Sequence, residues 1–213
     1  MDELELLKKD WKNQTSEYPK LSYDEIYKMI LKKSSSIVKW ILIISVLEFA
    51  FWTLMSFALK DSKGVRSFDE LGAENILIPM TVIGYAILIY FIYLFFRNYK
   101  SISATDNVKI LMENILKTRK TVKQYVAFNL IYLVIATFVA LGIEIEQNEV
   151  VRAKIEEATA NGDALMFYAK IFFFTIVALG AAIAVLLVFY YLVYGLLLKR
   201  LNLNYKELKK LND

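Results

Sequence analysis

The sequence contains no histidine and no cysteine. Imidazole and thiolate are the ligands of most zinc, copper, haem and iron–sulfur sites, so the sequence nearly excludes those cofactor classes. A carboxylate site for Mg²⁺ or Ca²⁺ needs only oxygen ligands, but no loop has the regular ligand spacing of a calcium site. There is also no array of paired acid, base and nucleophile. We therefore predict a protein that uses no cofactor or metal and is not an enzyme.

A soluble domain of ordinary size is also missing. The longest polar segments are residues 1–36, 97–124 and 144–170, each shorter than the length at which a hydrophobic core usually stabilises itself. The opening, MDELELLKKD, is not a secretory signal peptide, because the first apolar run follows only after 36 mostly polar residues. We expect that run to remain in the protein as an uncleaved anchor.

Four long apolar runs dominate the chain, at residues 37–59, 76–96, 125–143 and 171–198. A helix needs about 20 apolar residues to cross a bilayer, and each run is of that length or close to it. The sequence therefore predicts an all-α, multi-pass membrane protein with a bundle of four transmembrane helices over residues 37–198. Residues 1–36 and 199–213 are predicted to be a cytoplasmic segment and a cytoplasmic tail that carry short amphipathic helices.

The basic residues indicate the orientation of the chain. Of the 26 lysine and arginine residues, 20 lie in the amino-terminal segment through Lys39, the second loop and the carboxyl-terminal tail. Because such residues stay on the cytoplasmic side, both termini are predicted to be cytoplasmic. The first and third loops, on the other side, are rich in Asp and Glu. The net charge of +4 reflects this distribution and gives no reason to expect a nucleic-acid partner.

Capping patterns predict where helices outside the membrane begin and end. Ser22 and Glu25 form a capping box that begins a helix at Tyr23, which leads into the first span. Asn204 and Glu207 repeat the pattern and predict a separate short helix in the tail. Other expected helices are a short one capped by Ser67, an extension of the third span from Val108, and one in the third loop that stops at Gly162.

Apolar faces on the cytoplasmic segment have two interpretations. Leu4, Leu7 and Trp11 share one face of a short helix, and a second group follows on neighbouring turns: Ile26, Met29 and Ile30. These faces either pack together into a small cytoplasmic layer or dock a protein partner. We treat the six residues as candidates for partner docking.

Glu48 is the one acidic or basic residue well inside a span. It lies nine residues beyond Lys39, about 13 Å along a helix. A carboxylate at that depth is expected to face the bundle interior. Tyr85 on the second span matches its depth best, while Asn129 and Tyr190 lie nearer the inner face. These four residues form either a hydrogen-bonded polar cluster that joins the helices or a site for a proton, an ion or a lipid.

The fourth span has two further features. Small residues in its outer half predict close approach by other helices: Ala178, Gly180, Ala181, Ala182 and Ala184. Tyrosines populate its inner half, at Tyr190, Tyr191 and Tyr194. An aromatic belt is the ordinary interpretation of these tyrosines, and an aromatic-lined pocket for a lipid or isoprenoid is the alternative.

Two stretches, YDEIYKMILKKSSSIVKWILIISVLEF and NILKTRKTVKQYV, resemble a group of small bacterial four-span inner-membrane proteins of unknown function. Members of that group are often labelled beta-carotene monooxygenases. Carotenoid oxygenases are propellers that hold iron with four histidines, and this sequence has neither histidine nor a propeller-like strand repeat. The resemblance therefore implies the four-span fold and a bacterial inner membrane, whereas the lack of histidine and of strand repeats excludes the oxygenase activity.

Two functional hypotheses follow. The first is a non-enzymatic inner-membrane scaffold, accessory subunit or regulator that docks a partner through its cytoplasmic helices. The alternative is a small channel, transporter or lipid-binding protein that uses Glu48 and the intramembrane tyrosines. The partners expected from the sequence are the lipid bilayer and a protein on the cytoplasmic side or in the membrane. The sequence leaves open whether the protein forms a homo-oligomer.

Overall fold

The computed structural model describes residues 21–59, 72–105 and 107–212, together with Glu5 and Lys8. The α-helices of the described part of the chain are α1 (Tyr23–Leu59), α2 (Glu74–Ser103), α3 (Val108–Gln147), α4 (Glu149–Ala160), α5 (Ala164–Tyr190) and α6 (Leu196–Asn212). A π-helical turn, Tyr191–Gly195, joins α5 to α6. Helices α1, α2, α3 and the continuous α5–α6 are long and apolar enough to cross a membrane. The all-α class and the presence of four helices that could span a membrane are confirmed.

The capping box at the start of α1 is present as predicted. The Ser22 backbone N–H donates to Glu25 Oε2 at 2.7 Å, and the Glu25 N–H donates to Ser22 Oγ at 3.3 Å. Helix α1 then runs without interruption into the first span. Helix α3 likewise begins at Val108, and α4 is followed by Gly162 with a φ of 78°. The predicted lead-in, extension and third-loop helix are confirmed.

The prediction of a separate tail helix is wrong. Helix α6 is continuous from Leu196 to Asn212, and Asn204 is buried inside it. Asn204 therefore does not begin a helix, and its Nδ2 instead donates to Ser34 Oγ of α1 at 2.9 Å. The predicted boundaries at residues 36 and 198 thus fall inside continuous helices. The helices expected around Leu7 and after Ser67 lie outside the described residues.

The four long helices form an antiparallel bundle in which α6 closes on α1. Helices α1 and α3 each pack against α2 and α6, whereas α1 makes few contacts with α5. Buried residues recur with a spacing of three and four, as on α3 at Leu111, Ile115, Thr118, Val122 and Tyr125. This heptad spacing is typical of coiled-coil-like packing in four-helix bundles.

The core is concentrated toward one end of the bundle. We call the end where α1 and α3 begin the basic end, and the end that carries α4 the acidic end. One buried cluster near the basic end includes Ile102, Leu111 and Leu201, and a second, deeper cluster includes Phe95 and Tyr194. Burial within α1 stops at Glu48 and burial within α5 is limited to Tyr190. We call the two parts on either side of that level the basic half and the acidic half.

The small residues of α5 do not pack as predicted. Ala178, Gly180, Ala181, Ala182 and Ala184 are all exposed. A Cβ added at Gly180 would meet no atom within 4 Å. The prediction of close helix approach is wrong for this stretch, because no described helix of the chain covers that face.

Candidate functional site

Glu48 is held by two tyrosine hydroxyls at the boundary between the two halves. The Tyr190 hydroxyl donates to Glu48 Oε1 at 2.9 Å, and the Tyr194 hydroxyl donates to Glu48 Oε2 at 2.9 Å. Glu48 is only 7% exposed. Both oxygens thus have a hydrogen-bond partner, as a buried acidic group requires. We call Glu48, Tyr125, Tyr190 and Tyr194 the Glu48 layer.

Local helix geometry brings the two donors to one carboxyl group. Tyr190 ends α5, and Tyr194 lies four residues later in the π-helical turn. A single π-helical turn within an α-helix is rare and frequently occurs at functional sites. Gly195 closes the turn, where an added Cβ would lie 3.0 Å from Tyr191 Cδ2. This distance is shorter than an ordinary van der Waals contact, so a side chain at Gly195 would require the Tyr191 ring to shift.

Aromatic rings pack around the carboxyl group. The Tyr125 ring meets those of Tyr190 and Tyr194 edge-on, with centroid distances of 6.3 and 5.8 Å. On its other side it contacts Phe91 and Phe95, both at 5.5 Å. Edge-to-face pairs of this kind add stability beyond the burial of their area. The layer is thus a polar group enclosed by aromatic rings rather than a solvated charge.

Of the sequence-predicted partners, the structure joins Tyr190 to Glu48 and leaves Tyr85 unbonded to it. Tyr85 packs edge-on against Phe49, with ring centroids 5.6 Å apart. Successive residues of a helix point about 100° apart, so Phe49 faces α2 while Glu48 faces α5 and α6. Tyr194, which the sequence interpretation assigned to the aromatic belt, takes the place expected for Tyr85.

Asn129 and Tyr85 line a cavity of about 330 Å³ on the acidic side of the Glu48 layer. Tyr190 lines the same cavity, so the three residues that the sequence predicted as partners of Glu48 share one cavity wall. Asn129 itself donates to the backbone carbonyl of Tyr125 at 3.0 Å on its own helix. A Cβ added at Gly84 in this wall would lie 2.8 Å from a tyrosine hydroxyl. The cavity thus keeps its shape through a close approach of α2 and α3.

A larger groove opens on the other side of the Glu48 layer, between α1 and α5–α6. Its volume is about 860 Å³, and Glu48 is part of its wall. Most of its lining is apolar and faces outward, as shown by Leu47 at 61% exposed and Phe51 at 54%. Arg200 lies at its basic end. We call this feature the lateral groove; it exists because α1 contacts α6 closely but α5 hardly at all.

The residues predicted to dock a partner are divided by the structure. Ile30 is 3% exposed inside the bundle, and Ile26 packs against the same buried cluster. Met29 is 47% exposed on the surface of α1. Leu4, Leu7 and Trp11 lie outside the described residues. Of the described candidates, only Met29 presents a large exposed side chain.

Metal ligation has no support in the described ranges, where no three Asp or Glu side chains converge as a metal site would require. A family model described as Domain of unknown function (DUF8845) matches residues 24–213. No curated protein and no solved structure matches the chain.

Proposed function

The chain belongs to the DUF8845 family of unknown function, and we propose that it is a non-enzymatic membrane protein that binds a lipid in its lateral groove. The observation that carries the proposal is the groove itself. An outward-facing apolar channel with a volume of about 860 Å³ runs beside a buried carboxyl group. Ligand sites typically have volumes of about 300–1,000 Å³ and combine an apolar lining with few polar groups.

The chemistry of the groove supports a lipid rather than an ion. Both Glu48 oxygens accept hydrogen bonds from tyrosines, so the carboxyl group has its polar partners already. A proton or ion pathway needs several polar stations in series, whereas the lateral groove continues from Glu48 as apolar side chains. An apolar chain that enters from the bilayer replaces lipid contacts at little cost. The Glu48 layer then acts as the firm inner wall of the site.

The proposed setting is a bacterial inner membrane with both termini in the cytoplasm. The concentration of lysine and arginine toward the basic end supports this orientation. The lateral groove then opens into the inner leaflet, and Arg200 lies near the cytoplasmic surface.

The test is photocrosslinking in reconstituted vesicles with a phospholipid that carries a diazirine in its acyl chain. Labelling is expected to be enriched on peptides that line the groove, around Leu47 and Leu192, over the exposed face of α3 around Ile131. The variant Leu47→Trp fills the groove and is expected to abolish the enrichment. Ile83→Trp adds the same ring to an exposed position on α2, where Ile83 is 57% exposed. Uniform labelling, or equal loss in both variants, would contradict the proposal.

A second candidate function is docking of a protein partner at the cytoplasmic end. The observation that favours it is a pair of exposed side chains beside one another across the α1–α6 surface, Met29 at 47% and Leu203 at 51%. The test introduces Met29→Gln and Leu203→Gln together and compares, by quantitative mass spectrometry, the proteins that co-purify with this variant and with the wild type in mild detergent. This candidate predicts loss of one near-stoichiometric protein, and an unchanged set of proteins would count against it.

A further inference from the structure

The lateral groove continues beyond the membrane-facing residues into a second groove of about 600 Å³. Arg200 lines both of them. On α1 the lining residues recur every three or four positions from Met29 to Phe51, and on α5–α6 they do so from Val185 to Glu207. Such spacing keeps residues on one helix face. The two grooves therefore lie end to end along the seam between α1 and α5–α6, and together we call them the channel.

The apolar part of this channel has the length of one leaflet. It extends along α1 from Trp40 to Phe51, which is about 17 Å of helix. Half of the bilayer hydrocarbon is about 15 Å thick. Trp40 marks its basic end and is 54% exposed, as is typical of tryptophan at a membrane interface. An acyl chain anchored at that interface would reach the Glu48 layer and end near Phe51.

The chemistry changes from apolar to basic beyond Trp40. Lys32, Lys33 and Arg200 line the second groove and are exposed, and Glu207 is the carboxylate among its lining residues. Within the described part of the chain, none of these four side chains takes part in an ion pair. Three cations against one anion leave a net positive patch where a lipid headgroup would lie. Basic groups in this position attract anionic lipids.

We propose that the channel holds one anionic phospholipid of the inner leaflet, with its phosphate on Lys33 and Arg200 and an acyl chain along the lateral groove. This assignment rests on the proposed lipid-binding function and adds the headgroup class and the leaflet. Lys32, the residue before Lys33 on α1, contributes to the positive field from the adjacent position. The Glu48 layer sets the depth that the chain reaches.

A second copy of the chain is a poorer occupant than a lipid. In a two-fold symmetric dimer the same surface lies on both sides of the interface. With the axis along the membrane normal, Lys32, Lys33 and Arg200 would face their own counterparts, which is unfavourable for like charges. An anionic headgroup meets the same patch with complementary charge.

The test is native mass spectrometry of the full-length protein, titrated with phosphatidylglycerol and with phosphatidylcholine of the same acyl chains. The wild-type protein is expected to bind one phosphatidylglycerol in preference to phosphatidylcholine. The double variant Lys33→Gln, Arg200→Gln is expected to bind phosphatidylglycerol about thirtyfold more weakly, with phosphatidylcholine unaffected. Lys117→Gln, Lys120→Gln removes two exposed charges from α3 at the basic end and serves as the matched control.

The outcomes separate this proposal from the one on which it rests. If Leu47→Trp abolishes binding of both lipids while the Lys33 and Arg200 variant matches the control pair, lipid binding stands and the headgroup assignment is wrong. If Leu47→Trp has no effect on either lipid, both proposals are wrong. A wild-type dimer that Leu47→Trp converts to a monomer would identify the channel as an interface between copies and overturn the lipid assignment.

Discussion

The basic half and the acidic half of the bundle contain the same four helices but are held together in different ways. In the basic half, core residues such as Ile102, Leu111 and Leu208 are fully buried. In the most apolar 18-residue windows of the four helices, only 17%, 11%, 6% and 0% of the residues are buried. Hydrophobic packing is therefore strongest where the sequence is least continuously apolar.

The solvent explains this difference. At the basic end the helices are expected to project into water, where burial of apolar side chains drives them together. In lipid the tails are as apolar as leucine, so helix association depends on close packing and hydrogen bonds. The acidic half has neither in abundance, and its helices diverge around the cavity of about 330 Å³, while the lateral groove runs from the level of Glu48 toward Arg200. The basic half thus supplies stability, and the boundary between the halves offers a place for a ligand.

Polar residues within the basic half fix which helices pair. Asn204 donates to Ser34 at 2.9 Å between α6 and α1, and Asn98 donates to Thr121 at 3.1 Å between α2 and α3. The Glu48 layer is the third such level. Buried polar residues at core positions of helical bundles specify register, because a shifted register leaves them unpaired. The first two levels each join one specific pair of neighbouring helices, and the Glu48 layer joins α1 to the end of α5 and to the π-helical turn.

The largest expected effect comes from truncating the same residue type in each half of one helix. Ile115→Ala in the basic half, where Ile115 is fully buried, should lower the free energy of unfolding by about 2–5 kcal/mol. Ile131→Ala in the acidic half, where Ile131 is 58% exposed, should change it by less than about 0.5 kcal/mol. Reversible unfolding in mixed detergent micelles measures both. Equal losses would show that the two halves are packed alike.

The next effect tests the boundary itself. Glu48→Ala leaves the hydroxyls of Tyr190 and Tyr194 without their acceptor and should lower the free energy of unfolding by about 1–3 kcal/mol. Glu48→Gln should be close to wild type, because an amide accepts one hydrogen bond and donates the other. The same micelle assay compares them. A glutamine variant as unstable as the alanine variant would mean that the negative charge, rather than hydrogen bonding, holds the layer.

Sequence patterns within one helix were sufficient to predict much of the fold. The four apolar runs, the capping box at Ser22 and the extension of α3 from Val108 each depend on neighbouring residues alone. The Asn204–Glu207 pattern has the same local form as a cap, but Ser34, which lies 170 residues away in sequence, determines what Asn204 does. A contact between distant helices has no local signature.

The candidate site was predictable in part for the same reason. Its buried acid was evident, because a lone carboxyl group deep in an apolar run needs a partner. The choice among partners compared their depths and favoured Tyr85, but helix rotation turns Tyr85 toward Phe49. Tyr190 and Tyr194 are four residues apart, and this spacing was the sequence signal that both hydroxyls lie on one helix face and reach the same carboxyl group. The π-helical turn that contains Tyr194 is not predicted by any pattern of apolar residues.

The smallest expected effect lies at the tip of the basic half, where α1 begins. Hydrogen bonds from the Ser22 backbone N–H and then from its hydroxyl lower the pKa of Glu25 from its ordinary value. A folded-state pKa below the unfolded value means that the cap stabilises the first turn above about pH 4.3 and loses that contribution as the pH falls through the folded pKa. Hydrogen exchange of residues 21–30, corrected for the intrinsic rate, should therefore show more fraying at acidic pH than at pH 7. Glu25→Gln should remove this pH dependence and leave the exchange of the Ile115 region unchanged.

If the glutamine variant frayed with the same pH profile, another group would have to control the start of α1. If the Ile115 region also opened at acidic pH, the basic half would be less firmly packed than its burial implies.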